Sequence, residues 1–96
     1  MKNYEVTLQC GTVTKTITME AWSLQDVSMF AIPNNSRVIA VEELSSMPNN
    51  VGVYNVKIRL VDQNCDIQQM SSSAQDAINM AYPAKVRIVN IVELPS

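Results

Sequence analysis

The chain contains no histidine. That absence removes Ser-His-Asp and Cys-His nucleophile sites, which need an imidazole base. Glycine is nearly as scarce, with only Gly11 and Gly52, so there is no glycine-rich phosphate loop. Two cysteines, Cys10 and Cys65, are too few for a zinc site, which takes three or four close-set Cys or His ligands. They read as two reduced, packed thiols, with one disulfide between the halves of the chain as the alternative. Neither a metal nor a cofactor is expected.

Long apolar runs are missing as well. None approaches the ~20 residues needed to span a bilayer. Met1 to Tyr4 lead straight into a polar-apolar alternation, without the charged-then-apolar layout of a secretory signal. A cytoplasmic protein with no membrane partner is the expectation. Charge of either sign is sparse: seven basic and nine acidic residues give a formal net charge of −2. That balance disfavours a nucleic-acid coat, which needs positive excess. It is also too little acid for a DNA mimic. Lys57, Arg59, Lys85 and Arg87 place any basic strip in the second half.

What is present is a globular composition, 47% apolar over 96 residues, enough for one small domain. Its main feature is a repeat at a spacing of fifty. The identical pairs are Tyr4/Tyr54, Val6/Val56, Ile17/Ile67, Ser23/Ser73, Gln25/Gln75, Asp26/Asp76, Ala31/Ala81, Pro33/Pro83, Arg37/Arg87, Glu43/Glu93, Leu44/Leu94 and Ser46/Ser96. Ordinary composition gives roughly two or three such coincidences over a stretch of this length. The pattern reads as an internal duplication, with repeats at 4–46 and 54–96 and a linker at 47–53.

Each repeat predicts the order ββαβ. Tyr4, Val6, Leu8 and Cys10 alternate with polar residues, as Tyr54, Val56, Ile58 and Leu60 do, which is the period of a half-buried strand. Gly11-Thr12 turns the first strand into a second, Val13 to Ala21. The matching stretch, Cys65 to Ser71, is less apolar and reads as an edge strand or irregular. Ser23 and Ser73 are N-caps, followed three residues later by Asp26 and Asp76 at the positive end of the helix dipole. Pro33 and Pro83 are expected to stop both helices, at about nine residues each. The last strands, Arg37–Leu44 and Arg87–Leu94, are apolar on both faces and predict central positions in a sheet. One repeat has too little core to stand alone. The expected fold is therefore α+β: tandem ββαβ units forming one pseudo-twofold domain, with two short helices on one mostly antiparallel sheet of about six strands. Exchange of halves between two chains is the alternative.

Catalysis finds little support. Glu42 and Glu43 are neighbours on a strand, so they point to opposite faces and cannot flank one substrate atom. Asp26 and Asp76 are explained as caps. The candidate binding residues are others. Arg37 and Arg87 form a repeated pair suited to one phosphate or acidic group. Lys57 and Arg59 extend a basic strip. Tyr4 and Tyr54 are a pair suited to base stacking if a sheet face is open. Trp22, replaced by Ser72 in the second repeat, is a candidate binding anchor.

The capped short helix, the proline and the closing apolar strand of each repeat resemble small ββαβ proteins encoded by phages and other mobile elements. That resemblance implies an accessory or inhibitory role. Together these features predict a non-enzymatic protein that binds a protein partner, or a second copy of itself, through a sheet edge or face. A single-stranded nucleic-acid binder and a small anionic-ligand domain are the alternatives.

Overall fold

A computed structural model describes residues 1–95. The element order is β1 (Lys2–Cys10), β2 (Val13–Ala21), α1 (Leu24–Asn35), β3 (Ser36–Met47), a 3-10 turn (Pro48–Asn50), β4 (Val51–Leu60), β5 (Gln63–Ser71), α2 (Ala74–Ala81) and β6 (Val86–Glu93). The α+β class and the two helices agree with the sequence. No helix among the described residues is long and apolar enough to cross a membrane.

The strands do not form one sheet. They form two antiparallel sheets of three, in the orders β2-β1-β6 and β3-β4-β5. Each hairpin is thus completed by the strand that follows the other helix. β3 leaves α1 without a loop residue and crosses to the second hairpin, and β6 returns to β1. The result is two lobes in a long molecule, 56 × 21 × 17 Å. Its radius of gyration, 15.6 Å, exceeds the ~12–13 Å of an ordinary domain of this length.

The expectation of central positions for β3 and β6 is corrected here. Both are edge strands, and β1 and β4 take the centres. Each sheet carries one helix, so only one face is covered. Burial follows the alternation on the central strands: Tyr4, Val6, Leu8 and Cys10 on β1, and Tyr54, Val56, Ile58 and Leu60 on β4. Val27 and Ala31 of α1 and Ala77 and Ala81 of α2 close this core. On β3 and β6 the second apolar set faces solvent, leaving Ile39, Leu44, Val89 and Val92 exposed. Register shifts explain the double-faced pattern. β3 slips between Val38 and Ala40 and again between Glu43 and Ser45. β6 slips opposite Thr7 and Leu8. A bulge places two successive residues against one partner, so neighbouring apolar residues leave the core face.

Local signals account for the turns and caps. Gly11 opens the β1–β2 turn at φ +59, the left-handed region that favours glycine. The β4–β5 turn uses Val61 there at φ 60, an unfavourable geometry for a β-branched residue. The Ser23 and Ser73 hydroxyls accept from the amides of Asp26 (3.3 Å) and Asp76 (3.1 Å), as N-caps do. Pro33 does not stop α1, which runs through it to Asn35. The side chains of Asn35 and Ser36 donate to the carbonyls of Ala31 and Ile32, so the last turn is held despite the proline. α2 ends at Ala81, before the cis Tyr82-Pro83 bond. Of the stretch read as a linker, only Pro48–Asn50 lies outside the strands.

The lobes meet where the two hairpin turns and the helix C-termini converge. Cys65 Sγ donates to the Cys10 carbonyl at 2.8 Å. Lys15 reaches Asp62 at 2.8 Å, and the Val61 amide donates to the Asn35 carbonyl at 2.8 Å. The Tyr82 hydroxyl donates to the Ser36 carbonyl at 3.1 Å.

Candidate functional site

The sheet faces turned away from the helices are open, and they carry Thr, Asn and Gln together with most of the candidate cations. Arg37 and Arg87 do not meet. They lie in different sheets, one on β3 and one on β6. Each instead faces a cross-strand neighbour. Arg87 is opposite Gln9 and donates to its Oε1 at 2.9 Å. Arg37 is opposite Arg59. Gln9 and Arg59 are themselves fifty positions apart. The same place in the two lobes therefore holds an Arg–Gln pair in one and an Arg–Arg pair in the other. Sequence spacing contained this juxtaposition, but only the β3–β4 register reveals it.

The Arg37–Arg59 pair borders a cleft of about 430 Å³. The rest of its lining is the end of α1 (residues 33–35), Ser36 and Val61. Lys57 lies two residues from Arg59 on the same face, across from Asp66. Asp66 accepts from Asn55 at 3.0 Å. The ion pairs among the described residues are Lys2–Glu93 and Lys15–Asp62, so neither arginine makes an ion pair. The Lys15 ammonium holds the Asp62 carboxyl below its ordinary range, with Arg59 adding a smaller pull.

Tyr4 and Tyr54 are not a stacking platform. The two residues are 1% and 8% exposed, on the core faces of β1 and β4. The alternation that groups them with Val6 and Val56 already implied this. Trp22 is the reverse case, 70% exposed beside the Ser23 cap. Exposed Met1 and Leu24 lie at the same end of the lobe, where Lys2 faces Ala21.

The edges differ in a way no residue pattern announced. β2 pairs with β1 through nine residues without a register shift, and β5 pairs with β4 likewise. Their outer backbone is unpaired, because each is the last strand of its sheet. The opposite edges, β3 and β6, are bulged.

Both cysteines are free and buried. Burial, and after it the neighbouring Cys65 thiol, pushes the Cys10 thiol up to about 12. No group of three or more His, Cys, Asp or Glu among the described residues could hold a metal ion. Comparison with protein-family models, curated proteins and solved structures finds no match.

Proposed function

We propose that this chain is a non-enzymatic interaction module, built by tandem duplication of a ββαβ unit about a pseudo-twofold axis. Its partner is a protein that adds an extended segment to the edge of β2. The observation that carries this reading is the regularity of that edge, which β5 shares, combined with a β-branched content that β5 lacks. An unbulged edge strand presents an evenly spaced row of free N–H and C=O groups, the template a partner strand needs. Bulges and inward-pointing charges are the usual guards of an edge. β2 has no bulge, and it contains neither proline nor glycine. Its one inward cation, Lys15, is drawn across the lobe junction to Asp62. The strand is rich in β-branched residues, which suit a paired, half-buried position.

A second copy fits the same edge. In an antiparallel pairing of two β2 strands about Ile17, Thr14 faces Glu20 and Thr16 faces Thr18, with no like charges opposed. The two buried, unpaired thiols suit a reducing compartment, here taken as the cytoplasm of a cell carrying a phage or other mobile element.

The test is a T16K/T18K variant. Both threonines are exposed and face away from the core, so the variant keeps the fold. Partner retention, or dimer mass in light scattering, should weaken at least about tenfold through like-charge crowding at the edge. In the wild-type complex, amides of residues 13–21 should exchange more slowly than in the free protein. A complex in which those amides exchange at the free rate counts against the edge.

A further inference from the structure

We propose that the cleft beside Arg37 and Arg59 is an anion-binding site that takes the phosphoryl group of a small phosphorylated molecule. Like charges placed directly opposite on antiparallel strands destabilise the pair. Arg37 and Arg59 occupy such positions, and no carboxylate among the described residues bridges either one. Arg59 spends one donor on Asn64 Oδ1, at 3.3 Å. Its remaining guanidinium donors, and those of Arg37, are available to an outside acceptor. The other lobe is the internal control. There Gln9 stands where Arg59 stands here, and Arg87 satisfies itself on that amide. Two arginines cannot satisfy one another. An oxyanion that accepts from both relieves the repulsion and uses the fork geometry in which guanidinium binds phosphate.

The surroundings fit a negative group. A helix C-terminus ordinarily repels anions through its free carbonyls. At the end of α1 the carbonyls of Ala31, Ile32 and Asn35 already accept from Asn35, Ser36 and Val61. Asp62, adjacent to Val61, is engaged by Lys15. Lys57, opposite Asp66, lies on the same face two residues from Arg59. The cleft, at about 430 Å³, exceeds the needs of a bare ion and falls in the range of small-molecule sites. Asn34, in its wall, is placed to bind the non-phosphate portion. Val61, held at φ 60 where the other hairpin has glycine, is a strained residue in the same wall.

The experiment titrates inorganic phosphate and ribose 5-phosphate into 15N-labelled protein, with sodium chloride at matched ionic strength as the control. Both probes should shift the side-chain signals of Arg37 and Arg59 and the amides of residues 34–36, the ester more strongly. R59Q, which installs the residue of the other lobe, should weaken binding at least about tenfold, the loss of a charge-assisted pair. R87Q should leave it unchanged. Absence of shifts at ~10 mM ester, weaker than any useful site, overturns the proposal. Equal losses in R59Q and R87Q also overturn it, because they would mean diffuse charge rather than a cleft. A short single-stranded oligonucleotide provides the last arm. If it binds through Arg59 more tightly than the ester does, the small-molecule assignment fails. None of these readouts depends on the β2 edge.

Discussion

Truncating Leu8 to alanine is expected to unfold both lobes together, at a cost of about 3 kcal/mol. Leu8 is fully buried on the central strand of the first sheet, in line with Val6 and Cys10. Its removal leaves a cavity that two thin layers cannot easily close. The more specific part of the expectation is the cooperativity. The first sheet contains β6, which follows the second helix, and the second sheet contains β3, which follows the first. Neither lobe can lose its edge strand without pulling on the helix of the other. I58A, at the matching place in the second sheet, should therefore lower the same single transition by a similar amount. For a chain of this size the shift is on the order of 15 °C. Trp22 fluorescence reports the first lobe, and hydrogen exchange of β4 and β5 amides reports the second. Two separate transitions in L8A would show that the lobes fold independently.

Above pH 9, stability should begin to fall, and Cys10 should account for part of the loss. Its folded pKa lies near 12, raised by burial, against about 8.5 for a thiol in the unfolded chain. A group raised in the folded state contributes its full stability below the unfolded value. That contribution is lost as pH rises through the folded value. Within this window an unshared proton is worth about 1.4 kcal/mol per pH unit. The measurement is a difference: the pH slope of unfolding in the wild type minus that in C10A. An unchanged slope in C10A would remove Cys10 from the account. The same shift protects the thiol from modification. At pH 8, alkylation of Cys10 in the folded chain should be much slower than in denaturant, because the buried thiol stays protonated and the thiolate is the reactive species.

Much of the local structure was legible in the residues. The alternation in β1 and β4, the two serine caps and the Gly11 turn each rest on interactions within a few residues, and each formed as the pattern implies. The errors share a different origin. β3 and β6 carry apolar residues on both faces, which suits a covered central strand. Their exposure depends on bulges and on which hairpin they join. Strand pairing of this kind links Tyr4 with Glu93, and no local pattern encodes it. The course of α1 through Pro33 is accompanied by side-chain bonds from Asn35 and Ser36 to the carbonyls of Ala31 and Ile32, which no propensity argument foresees. For the candidate site, the residue types were legible and the partnership was not. Arg37 could be matched to Arg87 by repeat spacing, whereas the β3–β4 register brings it to Arg59.

The pairing of β1 with β6 has a topological consequence. The Leu94 amide donates to the Asn3 carbonyl at 2.8 Å, and Lys2 lies 3.4 Å from Glu93. The two ends of the described chain thus lie side by side, in the place that Pro48–Asn50 occupies between β3 and β4 in the other lobe. Followed from strand to strand, the backbone is a ring with one gap. A short linker joining the end of β6 to the start of β1 would close that gap, and the ring could then be opened between Asn49 and Asn50. Those two residues are held at φ 69 and φ 60, and cutting there releases both. The permuted chain would begin at β4 and end at β3, with every strand beside its present neighbours and the halves in reverse order.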